Sequence, residues 1–110
     1  MQKIVWKDDK FEGVKVIKLF ERQGSKEIRI NLQKGSIIKE HQAPSAIMVQ
    51  VLRGKIEFSV RNDVEILNEL DMVTLEANAP HALNALEDSI VRLSLSKNDD
   101  VSRVFKVLNA

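Results

Sequence analysis

Two side chains in this sequence can do chemistry near neutral pH: His41 and His81, its only histidines. A neutral imidazole offers one donor and one acceptor nitrogen, and it can ligate a metal, move a proton or orient a polar ligand. Each histidine lies beside a proline-containing turn, Gln42-Ala43-Pro44-Ser45 after the first and Pro80 before the second. Each also sits at the boundary of an apolar run. Other chemistries find less support. The chain has no cysteine, so thiolate ligands, a Cys nucleophile and disulfides are excluded. Gly13, Gly24, Gly35 and Gly54 are too far apart for a phosphate-cradling loop, and there is no Gly-x-Ser-x-Gly elbow. Nothing local sets a serine and an acid beside either histidine.

The elements that must position the two imidazoles read as short strands. Glu27 to Gln33 alternates cleanly, with Ile28, Ile30 and Leu32 on one face and Glu27, Arg29, Asn31 and Gln33 on the other. That is the period of a half-buried strand. Strands are also predicted over Lys3–Trp6, Val14–Phe20, Ile37–His41, Ala46–Leu52, Lys55–Arg61, Val64–Leu67, Met72–Leu75, His81–Leu86 and Ser89–Ser96. The Ala46–Leu52 run is mostly apolar on both faces, which predicts cover on both sides. Lys55 to Leu67 reads as a hairpin turning at Asn62-Asp63. Trp6 is expected to anchor packing, and Arg92, alternating with Val91 and Leu93, to face solvent or an interface. Many short strands separated by turns predict an all-β sandwich or barrel. Asp99-Asp100 followed by Val101, Val104, Phe105 and Leu108 predicts a short C-terminal helix over about 100–108.

Size and charge narrow the partners. At 110 residues the chain is expected to be a single domain, 1–110. Lys plus Arg is 17 and Asp plus Glu is 16, scattered without blocks of one sign, so no nucleic-acid partner and no anionic membrane surface is expected. Five aromatics with no tyrosine make a base-stacking platform unsupported. The first residues, MQKIVWKDDKFEG, lack an apolar signal-peptide core, and no apolar run approaches membrane-spanning length. With no cysteine, a cytoplasmic location is expected.

The region from Gly35 to Ala85 resembles the two signature motifs of the cupin superfamily. The first motif is Gly, five residues, His-x-His, three or four residues, Glu, six residues, Gly. Here Gly35 is followed after five residues by His41, with Ala43 at the second His, Ile47 at the Glu and Gly54 closing the motif. The second motif is Gly, five residues, Pro-x-Gly, two residues, His, three residues, Asn. Here Leu70 stands at the first Gly, before Asp71. Glu76 stands at the Pro, Asn78 at the second Gly, His81 at the His and Ala85 at the Asn. The spacing is kept while much of the residue content is lost. Asn78 for Gly is a mild change, because Asn tolerates positive φ.

The resemblance implies a double-stranded β-helix (jelly-roll) barrel of about eight to ten strands, with core motifs over 28–96, and a homodimer. Met48 and Leu52, apolar on the outer face of their strand, agree with a dimer contact. The metal site that the family builds from three His and a Glu reduces here to His41 and His81, since Ala43 and Ile47 cannot ligate. The expected function is therefore small-molecule binding in an apolar pocket lined by His41, His81, Ala43, Ile47, Val49 and Leu83, without a cofactor and without an assigned reaction. By alternation Ile30, Leu32, Val51 and Phe58 also face inward. Burial of the imidazoles would disfavour their charged form. Two alternatives stand beside this reading. One is a metal-dependent enzyme of dioxygenase or isomerase type, holding a divalent ion on the two histidines. The other is a ligand-sensing or interaction module.

Overall fold

Apolar–polar alternation resolves into nine antiparallel strands in the computed structural model, which describes residues 1–7 and 10–96. They are β1 (Val14–Arg22), β2 (Ser25–Leu32), β3 (Ile37–His41), β4 (Ile47–Arg53), β5 (Ile56–Val60), β6 (Asp63–Leu67), β7 (Met72–Leu75), β8 (His81–Ala85) and β9 (Ser89–Ser96). Five form one sheet in the order β1-β2-β9-β4-β7, and four form the other in the order β3-β8-β5-β6. Neighbours in each sheet are mostly distant in sequence, as in a jelly roll. No helix occurs among the described residues. The helix expected over 100–108 lies outside them.

The core fills the space between the sheets. Ile28, Ile30 and Leu32 of β2, Ile47, Val49 and Val51 of β4, and Val91, Leu93 and Leu95 of β9 face it from the larger sheet. Ile38, Ile56, Phe58, Leu67, Leu83 and Ala85 face it from the smaller one. Every residue expected to point inward by alternation is buried. Removing such side chains from water contributes about 1.5–3 kcal/mol each for the larger ones.

The outer face of the larger sheet departs from expectation. β2 is buried on both faces: Glu27, Arg29 and Asn31 are 7%, 2% and 0% exposed. The cause is the chain before β1. Residues 1–7 form no strand, so the strand expected at Lys3–Trp6 is absent. The segment instead lies over the sheet, with the Trp6 ring 5.5 Å from the Arg29 guanidinium carbon. Asn31 Nδ2 donates to the Lys10 carbonyl at 3.1 Å. Beneath this cover Arg29 Nε donates to Asn31 Oδ1 at 2.8 Å. Arg92 does not simply face solvent: its guanidinium pairs with Glu27 at 2.7 Å, and Ser94 Oγ also donates to Glu27. Polar residues on this face are thus buried in satisfied partnerships, the condition under which burial is tolerated. β4 is buried on its inner face only, while Met48, Gln50 and Leu52 remain half-buried.

The β5–β6 hairpin turns one residue earlier than expected. Val60 pairs with Asp63, so Arg61 and Asn62 form the turn, with Arg61 at φ 55°. A one-residue difference in a hairpin decides which side chains of the second strand face in.

Candidate functional site

The two histidines meet across one strand pair. β3 and β8 pair with His41 opposite His81 and Ile38 opposite Leu83. Three steps along β3 therefore match two along β8, which marks a β-bulge between Ile38 and His41. Simple alternation would send Ile38 and His41 to opposite faces of the sheet. The extra residue turns His41 back, and both side chains line the same chamber. The imidazole centroids lie 4.2 Å apart with their planes tilted by 58°. Phe58 stacks against His81 from β5, 5.8 Å between centroids and 19° between planes.

Both rings are oriented in the same way. His41 Nδ1 lies 2.8 Å from the Lys39 carbonyl, and His81 Nδ1 lies 2.8 Å from the Ala79 carbonyl. A carbonyl oxygen only accepts, so in the neutral ring Nδ1 carries the proton and Nε2 carries the lone pair. His81 is buried at 5% exposure, whereas His41 is half-buried.

Around the imidazoles the wall is apolar. Ile47 and Val49 of β4, Ile30 of β2, and Val91 and Leu93 of β9 line it from the larger sheet. Ile38, Phe58 and Leu83 line it from the smaller one. The space open to the centre of a water molecule is about 30 Å³, room for about two waters. Of the residues expected at the pocket, His41, His81, Ile47, Val49 and Leu83 come together there. Ala43 does not line it. It is buried at 3% exposure, and its carbonyl accepts from the Asn78 N–H at 2.7 Å, tying the first motif to the second. Ile38, Val91 and Leu93 were not predicted at the pocket. The alternation of β9 marks Val91 and Leu93 as one face, whereas the placement of Ile38 beside His41 depends on the bulge.

The donor set does not fit the four-ligand metal centre of the resemblance. Ile47 puts a buried aliphatic side chain into the chamber where a carboxylate would be needed. Among the described residues no three His, Cys, Asp or Glu side chains gather as a metal site. Protein metal centres ordinarily use three or four protein ligands.

The backbone, in contrast, keeps the motif geometry. Gly35 and Gly54 stand at φ 88° and 91°, and the two replaced glycine positions, Leu70 and Asn78, stand at 74° and 64°. All four remain in the left-handed region that favours glycine. The chain path that the motifs encode has thus outlasted two of the residues that made it easy.

No protein-family model and no curated protein matches the sequence. Solved structures do match. A conserved protein of unknown function from Streptococcus pyogenes shares 24% identity at a TM-score of 0.71, covering 91% of this chain and 98% of that one. An RmlC-like cupin from Desulfovibrio desulfuricans shares 16% identity at a TM-score of 0.74, covering 87% and 95%. A cupin superfamily protein from Desulfitobacterium hafniense shares 12% identity at a TM-score of 0.74, covering 81% and 82%. Among the described residues no helix is long and apolar enough to cross a membrane. With two antiparallel sheets enclosing a chamber, the motif backbone retained, and these structural matches over most of its length, the chain has the fold of the small single-domain cupins.

Proposed function

We propose that this protein is a small-molecule-binding module whose ligand sits beside His41 and His81, in a barrel chamber that widens from its present room for about two waters to admit it. The observation that carries the reading is the pair of imidazoles, 4.2 Å apart, set as the only polar side chains among the described residues that line the chamber. Apolar walls with a few oriented polar groups are the usual form of a small-molecule site. The tautomer fixed by the Lys39 and Ala79 carbonyls makes each Nε2 an acceptor. The ligand class is therefore a molecule with an apolar body and a hydroxyl, acid or N–H group that donates to imidazole. The test is a ligand-observed NMR screen of such compounds against the protein and its His41→Ala and His81→Ala variants. Hits that lose binding in both variants support the reading. Hits that bind all three proteins equally refute it.

A second reading, a metal-dependent enzyme on a reduced two-histidine site, is favoured by the same tautomer. Metal-binding histidines commonly hold one nitrogen to a carbonyl or carboxylate and present the other. Elemental analysis of protein purified without a His tag separates the two. Stoichiometric metal that disappears when both histidines are replaced moves the conclusion to the metal reading. A sensing or interaction role would use the same chamber through a partner protein. We also propose a homodimer through the outer face of the larger sheet, where Met48 is half-buried and Met72 on the adjoining β7 is 51% exposed. Light scattering at micromolar concentration tests it, and a monomer refutes it.

A further inference from the structure

Leu70 is a bulky residue in a backbone conformation that suits glycine. It stands at φ 74°, and hydrogen bonds to β4 lock the turn there. The Leu70 N–H donates to the Val51 carbonyl at 2.7 Å, and the Leu70 carbonyl accepts from Gln50 Nε2 at 3.2 Å. The Val51 N–H donates to the Asp71 carbonyl at 3.0 Å. For a leucine this conformation is an outlier that costs folding free energy. Burial of the side chain does not offset that cost within one copy, because Leu70 is 67% exposed. Glycine would remove the strain and the exposed apolar surface together. Strain and exposure combined in one residue point to a role outside the fold of the single chain.

The surface around Leu70 has a regular layout. β7 pairs with β4 so that Met72 lies opposite Gln50 and Thr74 opposite Met48. The bond from Leu70 to the Val51 carbonyl continues that ladder and sets Leu70 at the Leu52 end of β4. Three outward rows result, Leu70–Leu52, Met72–Gln50 and Thr74–Met48, each about 7 Å from the next. None of these six residues carries a charge. At the Thr74–Met48 row the surface sinks into a hollow of about 350 Å³, lined by Ala46, Met48, Thr74, Ser94 and Ser96 among others. One face therefore has an exposed leucine at one end and a hollow at the other, with the Met72–Gln50 row midway between them.

We infer that Leu70 anchors a reciprocal contact between two copies of this chain, the Leu70 side chain of each copy seated in the hollow of the other. The two-fold axis lies in the plane of the interface and crosses the strands at the Met72–Gln50 row, so it exchanges the two end rows. This rests on the homodimer proposed above and names the contact that specifies it. A two-fold interface must be self-complementary, each feature meeting its counterpart twice. A projecting side chain and a hollow equidistant from one row meet that condition. The uncharged rows let the face meet its own copy without like-charge opposition. Because the contact occurs twice, loss of the Leu70 side chain should weaken the dimer about thirty- to hundredfold.

The experiment is sedimentation equilibrium of the full chain from low to high micromolar concentration. The parent is expected to dimerise, and Leu70→Gly to raise the dimer dissociation constant about thirty- to hundredfold. The melting temperature of Leu70→Gly, measured where both proteins are monomeric, is expected to equal or exceed that of the parent. Thr74→Arg, on the edge strand β7, fills the hollow and is expected to weaken self-association to a similar degree. Mixing the two variants restores one contact, because Leu70 of the Thr74→Arg copy meets the open hollow of the Leu70→Gly copy. The mixed dimer is therefore expected to be about tenfold tighter than either variant alone. A parent dimer that Leu70→Gly leaves unaltered, or a mixture that associates no better than its components, overturns the inference and leaves the homodimer reading standing. A lower melting temperature for monomeric Leu70→Gly also overturns it, since Leu70 then serves the fold of one copy. A monomeric parent overturns the two together.

Discussion

Gly35 and Gly54 bracket the first motif with nearly identical backbones, at φ 88° and 91°, yet they should respond very differently to the same substitution. An L-residue held in the left-handed region costs about 1–2 kcal/mol. Replacing glycine by alanine returns about 0.4–1 kcal/mol by stiffening the unfolded chain. Around Gly35 a Cβ meets nothing within 4 Å, so Gly35→Ala should cost about 1 kcal/mol in all. At Gly54 a Cβ would run into the Asp88 carbonyl, the Ser89 hydroxyl and the Ser89 backbone. Relief requires the β8–β9 turn to move away from Lys55. That turn is held by the Lys55 N–H donating to Ser89 Oγ at 3.1 Å and the Leu86 N–H donating to the Lys55 carbonyl at 2.9 Å. Ser89 is fully buried, so water does not replace its bonds. Losing two such bonds costs about 2–3 kcal/mol beyond the backbone strain. Gly54→Ala should therefore cost about 3–4 kcal/mol in all. Urea unfolding followed by the fluorescence of Trp6, the only tryptophan, measures both variants against the parent. The midpoint should fall by about 2 M for Gly54→Ala and by well under 1 M for Gly35→Ala, with unchanged slopes. If the two variants differ by less than about 0.5 kcal/mol, the close approach at Gly54 is not what stabilises the turn and the reasoning fails.

Asn78→Gly should be nearly neutral and Asn78→Ala should cost about 1 kcal/mol, because Asn at φ 64° tolerates the left-handed region better than alanine; thermal unfolding of the pair checks it. Arg29→Met keeps volume but removes the donor to buried Asn31 Oδ1, so a loss of about 1–3 kcal/mol and a shift in Trp6 emission are expected. Arg92→Leu leaves the mostly buried Glu27 carboxylate with only Ser94 of its two side-chain partners, and urea titration should show a loss of about 1–3 kcal/mol. Ile47→Glu places a carboxylate in the chamber with both imidazoles. It should lower the melting temperature in the presence of chelator and recover most of the loss on adding zinc, whereas a variant that gains nothing from any divalent metal argues against the chamber geometry.

Strand existence and order along the chain were legible because the β-sheet period is two and the alternation is strong. β3, β7 and β9 have the bounds that alternation predicts, and the others differ from it by one or two residues at their ends. The pairing of His41 with His81 was legible only through motif spacing, since no local rule joins residues forty positions apart. Three features were not legible. Alternation sends His41 away from Ile38, and the bulge that reverses this leaves no clear local signal. Arg29 and Asn31 read as solvent-facing, because the segment that covers them is remote in sequence and forms no strand of its own. The register that sets Asp63 opposite Val60 and Glu65 opposite Phe58 depends on where the hairpin turns, and Arg61-Asn62 and Asn62-Asp63 both suit a turn by residue type.

The sequence by itself determined an all-β chain with motif glycines spaced for the cupin path and only two imidazoles at its motif histidine positions, because strand period, turn chemistry and residue identity are local properties. The tertiary structure decided which way His41 points, what lies over Arg29, and that the two imidazoles meet across one strand pair. These are outcomes of register and packing between segments distant in sequence, where one extra residue reverses a face and a remote segment covers another.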